Sequence, residues 1–359
     1  MVTVSPATLK RQIAEVYRAW GMPEDHVHTT VELMVEADLR GIDSHGIGML
    51  PQYEQYRRQG RLNVQPDIMV VKEGPTFVLI DADHGLGHPP AEMAMRAAIA
   101  KCEDCGVGFA VVRNSNHYGA AGVYSTMALE RGLIGLSVTG TSQRAVVPTF
   151  AREPMFSTNP IAFAAPAATH DPFSLDMATS TVAVGKLQIA RRAGKPLPTG
   201  WAVDATGAPE HDAAAAVAST PKRMTPVGGS RALGSHKGYG LAMMVEILSS
   251  VLSGSYVGGR DLATLETGKY INVGNFFLAL DPAFFRGEPA AFTADMDKLI
   301  DWLQGTQPVD AAQPVLVAGD PEHASRRRRL VEGIPMTDTL LEEVRQVARG
   351  CNAPFLLEG

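Results

Sequence analysis

The chain has 359 residues, of which 45% are hydrophobic and 19% charged, and its formal net charge at pH 7 is −6. A chain of this length can bury a sizeable core, so we expect one large domain or two interleaved ones. The acidic balance provides no basic surface for nucleic acid or an anionic membrane, which leaves a small molecule as the expected partner.

Several features favour a cytoplasmic protein. Three cysteines are an odd number for a secreted disulfide framework, and the first residues lack the charged-then-apolar pattern of a signal peptide. The longest apolar stretch, 239–252, is too short for a bilayer and contains Glu246. We therefore interpret this stretch as a buried helix.

The first part of the chain shows helical periodicity and then strand-like patterns. Helices are predicted for 5–21, 23–41 and 49–58, and strands for 68–71 and 76–83. The chain thus changes character after Gly60.

From residue 90 the predicted elements alternate. Helices are predicted for 90–105 and 120–131, and strands for 108–113 and 133–140. Such alternation is typical of a doubly wound sheet, whose dinucleotide sites carry Gly-x-Gly-x-x-Gly after a strand. The three Gly-x-Gly pairs that begin at Gly46, Gly85 and Gly106 all lack the third glycine. A nicotinamide cofactor, if bound, is therefore not held by the Rossmann turn.

The second half continues with mixed patterns. Strands are predicted for 161–166, 173–180 and 272–280, and helices for 182–194, 239–252, 292–303, 321–331 and 337–349. The strand at 272–280 is expected to be central. Residues 195–212 are rich in proline and glycine and are predicted to form a surface excursion. The alanine-rich run 213–218 has no evident role, and no internal repeat is found.

The run Gly41–Gly46 holds a carboxylate, a hydroxyl and an imidazole between two glycines. Because Asp43, Ser44 and His45 are adjacent, a relay of these three alone is not expected. A tight turn would still present Ser44 and His45 together. In the alternative interpretation, Asp43 or Ser44 caps the helix that begins near Gly48.

Other polar residues lie near predicted helix starts. His117 sits between a strand and a helix, where it suits a cofactor phosphate, a proton donor or a structural cap. His236 and Lys237 open an apolar helix between glycines, which attracts anions. Asp176 could orient a histidine, accept a ribose hydrogen bond or cap a helix. Lys186 could pair with a carboxylate or lie in solvent.

No metal site is predicted. Cys102 and Cys105 form a single Cys-x-x-Cys pattern without further ligands at zinc spacing, and Cys351 is far away in sequence. The pattern also lies at a helix end, unlike a redox motif, so buried thiols are predicted. The basic run Arg326–Arg329 is interpreted as a solvated helical face.

Five segments stand out together: GIDSHGIGMLPQY, NSNHYGAAGVYS, STNPIAFAAP, LDMATSTVAVGKLQIA and HKGYGLAMMVEILSSVLSG. In this order they resemble the malate/L-lactate dehydrogenase family, which includes ureidoglycolate dehydrogenase, diketogulonate reductase and piperideine-2-carboxylate reductase. The resemblance covers almost the whole chain. It implies a non-Rossmann α/β (α+β) fold with a largely antiparallel mixed central sheet, and a helical domain built from both chain ends.

The resemblance also implies a domain organisation and an assembly. Residues 1–75 together with 310–359 would form the helical, dimerising domain, and 76–309 the cofactor-binding sheet domain. A homodimer with active sites at its interface is expected.

Roles of individual residues follow from the same resemblance. His45 is expected to be the general acid/base with Ser44 supporting it, and His117 to border nicotinamide and substrate. Thr158 and Lys186 are expected near the substrate. The expected cofactor-binding residues are His117, Tyr118, Gly119, Ala120, Ala121, Thr141, Asp176, Met177, Ala178, His236, Lys237, Gly238, Gly319 and Asp320. The cofactor is NAD or NADP, between which the sequence does not decide.

The implied chemistry is hydride transfer coupled to proton transfer. An imidazole titrates near neutrality, so His45 would remove the hydroxyl proton of a small 2-hydroxy acid and return it to the 2-oxo acid in reverse. One alternative is an NADPH-dependent reductase of a cyclic imine or a diketo sugar acid. The other is a cofactor-binding family member without turnover.

Two positions depart from the family pattern. Many members carry an arginine that binds the substrate carboxylate four residues after the histidine, where this chain has Met49. Candidate replacements are Arg57, Arg58 and Arg144. Some imine reductases have an aspartate at the position of Lys186, and the lysine here favours a hydroxy acid.

Overall fold

The computed structural model describes residues 2–141, 143–258 and 269–357. Its strands are β1 (Val2–Val4), β2 (Met69–Glu73), β3 (Phe77–Asp81), β4 (Val107–Ser115), β5 (Ile134–Thr139), β6 (Ile161–Ala165), β7 (Phe173–Met177), β8 (Val273–Leu280) and β9 (Ile334–Met336). Its α-helices are α1 (Pro6–Ala19), α2 (Glu24–Leu39), α3 (Leu50–Arg58), α4 (His88–Cys105), α5 (Gly122–Ser125), α6 (Val184–Arg192), α7 (Ala213–Ala218), α8 (Ser235–Glu246), α9 (Ala283–Arg286), α10 (Pro289–Gln304), α11 (Asp320–Glu332) and α12 (Asp338–Gly350).

Seven strands form one mixed sheet in the order β2-β3-β4-β8-β5-β6-β7. Only β3 and β4 pair in parallel, and every other neighbouring pair is antiparallel. This arrangement confirms the largely antiparallel mixed sheet and the central strand at 272–280. The doubly wound alternative is wrong because such a sheet is mostly parallel, whereas here β8 lies between β4 and β5 and is antiparallel to both.

The helical unit draws on both ends of the chain, as expected. Ser5 caps α1 by accepting a hydrogen bond from the backbone N–H of Thr8, and Pro6 begins the helix. The buried face of α1 packs in one core cluster with residues of α12. β1 pairs antiparallel with β9, so the first and last strands of the described chain are neighbours. The domain boundaries at 75/76 and 309/310 remain a prediction.

Some elements differ from the prediction. Residues 120–131 form the short α5 and a 3₁₀ turn at Thr126–Arg131 instead of one α-helix. The hydroxyls of Ser125 and Thr126 donate to the carbonyl of Gly122 and so compete with regular helix bonding. The alanine-rich run is the helix α7, capped by Asp212.

A separate core cluster lies within the segment 145–224 and includes Leu187 of α6 and Met224. The thiol prediction is wrong for Cys105, which is exposed at the end of α4, whereas Cys102 is buried. Among the helices of the described residues, none combines the length and the apolar character that a bilayer crossing requires.

Candidate active site

Ser44 and His45 lie on the loop between α2 and the 3₁₀ turn Ile47–Met49. The Ser44 hydroxyl oxygen is 2.8 Å from Nδ1 of His45, so the loop brings the two side chains together as predicted. A tight turn forms because the His45 backbone N–H donates to the carbonyl of Ile42 at 2.9 Å. Neither Asp43 nor Ser44 caps the following helical turns, so the capping alternative is wrong.

Arg329 of α11 fixes the same loop from the opposite side. Its guanidinium donates to both carboxylate oxygens of Asp43, one at 3.1 Å, and to the carbonyl of Asp38 at 2.6 Å. The Asp38 carboxyl group accepts the Ile47 N–H at 2.9 Å and fills the space that a side chain at Gly46 would need. The loop is therefore held on both sides of His45.

The basic run of α11 is not a purely solvated face. The side chain of Arg329 is only 9% exposed, and Arg326 and Arg327 form ion pairs with Glu36 and Asp171. A helix turns about 100° per residue, so one of four consecutive arginines must face inward when the helix packs on α2. The prediction of solvent exposure is wrong for Arg329.

His117 lies beside His45, with the two rings stacked at 5.5 Å between centroids. Nδ1 of His117 is 2.8 Å from the hydroxyl of Tyr53 and 3.3 Å from the backbone nitrogen of Gly119. Because a backbone N–H can only donate, Nδ1 is the acceptor, and the neutral ring carries its proton on Nε2. His117 does not cap α5, which begins three residues after Gly119.

Burial keeps these rings neutral. It lowers the pKa of His45 from 6.5 to about 4. The pKa of His117 is well below its ordinary value, first because of burial and then because of His45 and His88. A neutral imidazole can accept a proton from a bound ligand at physiological pH, which suits a general base.

Two of the predicted cofactor-binding segments meet along the edge strand β7. The Asp176 carboxylate accepts a hydrogen bond from the Gly122 N–H at 2.7 Å, so it provides a partner for a backbone N–H at the start of α5. Burial raises the pKa of Asp176 to about 6. Two residues earlier, the Ser174 N–H donates to the carbonyl of Ala318 at 3.0 Å, beside Gly319.

The third segment packs against the chain just after β7. The Val227 N–H donates to the carbonyl of Thr179 at 2.8 Å. Gly238 packs directly on Val227, since a side chain there would collide with the Val227 backbone. His236 and Lys237 are exposed at the start of α8. Hydrogen bonds and backbone contacts thus connect the segments 117–122, 174–179, 227–238 and 318–320.

The glycines of these segments allow the chain to pack closely at their contacts. Gly119 has a φ of 78°, and a Cβ there would lie 2.6 Å from Nε2 of His88. At Gly122 a Cβ would lie 2.9 Å from the Asp176 carboxylate, and at Gly319, with a φ of 106°, 3.1 Å from Ser174. The positive charge of Lys237, exposed at the start of α8, suits the phosphates of NAD or NADP.

The remaining predicted residues are placed as follows. Four of them are buried, namely Tyr118, Ala120, Ala121 and Thr141, and two are half-buried, namely Met177 and Ala178. The Thr158 carbonyl accepts a hydrogen bond from the Thr179 N–H, and the Asp320 carboxylate accepts one from the Gln304 side chain. Lys186 is exposed on α6. The buried Thr141 hydroxyl is bonded to Glu246 and Asn159. Thr141 is therefore available to a ligand only through its backbone.

The cations proposed to replace the missing arginine are largely engaged. Arg57 and Arg58 both pair with Glu54, and Arg144 donates to the carbonyl of Pro154. A cavity of about 430 Å³ beside α8 is lined by two further arginines, Arg152 and Arg231, which the sequence did not single out. Within the described ranges, no group of three or more His, Cys, Asp or Glu residues is arranged to hold a metal ion.

Comparison with known proteins gives consistent similarities. A family model described as malate/L-lactate dehydrogenase matches residues 4–345. The malate dehydrogenase of Pyrococcus horikoshii is 39% identical over 339 residues, covering 94% of this chain and 92% of that protein. The L-sulfolactate dehydrogenase of Methanocaldococcus jannaschii is 36% identical over 349 residues, covering 97% and 96%. The crystal structure of malate dehydrogenase from Entamoeba histolytica superposes with a TM-score of 0.92 at 30% identity, covering 98% and 99%.

Proposed function

The chain belongs to the malate/L-lactate dehydrogenase family, and from this membership we infer that it interconverts a small 2-hydroxy acid and its 2-oxo acid. It is an oxidoreductase that uses NAD or NADP. The observation that carries the proposal is the stacked pair of neutral rings, His45 and His117, with 5.5 Å between their centroids.

The proton chemistry follows from which ring nitrogens are engaged. The bound nicotinamide supplies hydride acceptance and return. Nδ1 of His45 is engaged by Ser44, so Nε2 is left to take the hydroxyl proton of the substrate. In His117, Tyr53 and Gly119 occupy Nδ1, so the proton is on Nε2 and can be donated in a hydrogen bond to a substrate oxygen. In reduction, protonated His45 returns the proton.

We propose that the surface along β7 holds the cofactor. The backbone N–H of Gly319 and the positive charge of Lys237 would bind its phosphates, and Asp176 would accept a hydrogen bond from it. Thr158, Lys186 and the arginines beside α8 would lie near the substrate carboxylate.

We further propose a homodimer that buries the exposed apolar residues of α8 and of the π-helical turn Ile247–Val251 that follows it. Met244 of α8 and Ile247 and Val251 of the π-helical turn are 40%, 49% and 54% exposed in the single subunit. Such an apolar patch is typical of an interface. His236 lies at the start of the same helix, so a partner here would meet the proposed cofactor surface.

The interface can be tested by charge insertion. Ile247→Glu is expected to give monomers in light scattering, because the charge would be buried without a partner. Val331→Glu is the control, since Val331 is 87% exposed on α11. A dimeric Ile247→Glu protein would contradict the proposal.

The activity is tested by a panel of 2-hydroxy acids, 2-oxo acids, cyclic imines and diketo sugar acids against both cofactors, followed by nicotinamide absorbance. His45→Ala should lower kcat by about 10²- to 10⁴-fold while cofactor affinity stays within about twofold. His28→Ala, at an exposed histidine of α2, is the control. Wild-type rates in His45→Ala would refute the role, and turnover only with imines or sugar acids would change the substrate class.

A further inference from the structure

His88 is a buried histidine that the proposed reaction does not use. It is the first residue of α4, its side chain is 1% exposed, and neither ring nitrogen has a hydrogen-bond partner among the described residues. Burial, and then the neighbouring His45, lower its pKa to about 3. His88 is therefore a neutral imidazole within the histidine cluster.

The ring contacts both groups that bond to Nδ1 of His117. It lies edge-on to Tyr53, with 6.0 Å between ring centroids and an angle of 84°. On its other side, Nε2 of His88 occupies the space where Gly119 would carry a Cβ, 2.6 Å away. Tyr53 and Gly119 supply the two contacts of Nδ1, at 2.8 and 3.3 Å.

We propose that His88 is a positioning residue for His117, which holds the Tyr53 hydroxyl and the Gly119 amide against Nδ1 so that the proton stays on Nε2. The inference rests on the proposed function, in which that proton faces the substrate. His88 itself touches neither reacting atom.

Stability alone does not explain an imidazole at this position. A buried ring with unpaired nitrogens costs free energy that an apolar ring of similar size would not. The neutral ring also adds no positive charge beside His45 and His117. The titratable groups that face His117 are Tyr53 from α3, His45 from its loop and His88 from α4.

The test compares His88→Phe and His88→Gln with the wild type, and uses His26→Phe as a control. His26 also has a buried, unpaired Nδ1 but lies on α2 outside the histidine cluster. We expect His88→Phe to unfold at the wild-type temperature or above, while kcat falls about tenfold or more and cofactor KM stays within about twofold.

Two readouts separate positioning from packing. Loosened donors to Nδ1 no longer favour the neutral form of His117, so the pH at which His117 itself titrates, followed by nitrogen NMR, should move to higher pH. Nitrogen NMR of the histidine rings in the free enzyme should show His117 losing its pure Nε2–H tautomer.

The outcomes are distinguishable. The inference is overturned if His88→Phe keeps the wild-type kcat and, at His117, the wild-type titration and tautomer. If the phenylalanine variant does not fold, His88→Gln provides the same comparison. If the wild type turns over no hydroxy acid, the proposed function fails, while the tautomer measurement still decides the role of His88.

Discussion

Replacing Arg329 with methionine should release the loop that carries Ser44 and His45. In the native chain, Arg329 bridges this loop and the end of α2 by binding the Asp43 carboxylate and the Asp38 carbonyl. Methionine keeps most of the apolar volume but has no donor. The substitution therefore removes the attachment without opening a large cavity.

The expected magnitude follows from the exposure of each partner. The Asp43 side chain is 54% exposed, so its ion pair is screened and contributes about 1 kcal/mol or less. The hydrogen bond from the charged guanidinium to the Asp38 carbonyl contributes about 1.5–3 kcal/mol. We expect the free energy of unfolding to fall by about 2–3 kcal/mol. A displacement of His45 by about 1 Å would lower kcat by about 10²-fold.

Urea unfolding and steady-state kinetics measure the two effects separately. Arg328→Met, at the exposed neighbour on α11, is the control and should leave both quantities unchanged. Asp43→Asn should reproduce the loss of kcat with a smaller loss of stability. A kcat within twofold of wild type in Arg329→Met would refute the argument that this contact positions His45.

Three further predictions concern pH and backbone shape. Because burial lowers the pKa of His45 from 6.5 to about 4, kcat/KM for hydroxy-acid oxidation should stay constant down to about pH 5. A fall of kcat/KM with a midpoint near pH 6.5 would contradict this. Burial raises the pKa of Asp38 to about 8, so its carboxyl is neutral in the native state while it is charged in the unfolded chain above about pH 4. Stability should therefore fall as pH rises from about 4 to 8, and Asp38→Asn, in urea unfolding at several pH values, should remove that slope. Gly119→Ala should lower the free energy of unfolding by about 1–2 kcal/mol, because alanine is strained in the left-handed conformation, and should lower kcat because the new Cβ collides with the His88 ring. At Gly132 a Cβ would have no atom within 4 Å, so Gly132→Ala should lose the same stability without the loss of kcat.

The sequence predicted the contact between Ser44 and His45, but not the distant residues that hold their loop in place. Ser44 and His45 are adjacent, so a tight turn suffices to bring them together. Arg329 lies 286 positions from Asp43, and no local pattern connects them. The structure shows that Ser325, four residues earlier, lies on the same buried face of α11, but a serine beside four arginines does not mark that face in the sequence.

The same limit applies to the fold. Strand patterns from β3 to β7 were visible, but their spatial order was not, because β8 enters the sheet between β4 and β5 from about 130 residues further along. The resemblance to a family supplied the antiparallel order that periodicity alone did not. Tyr53 and His88 were missed because both occupy helix positions that sequence patterns treat as ordinary core.

The pairing of β1 with β9 and the contact between Arg329 and Asp43 have a consequence for biosynthesis. Both tie the start of the chain to segments that leave the ribosome only after more than 325 residues have been made. The loop with His45 is translated early but acquires its anchor among the last parts of the chain. A nascent chain that has not yet exposed Arg329, or one shortened before it, would thus carry the reactive histidine in an unfixed loop, and catalytic competence would arrive only once the segment with Arg329 has been made.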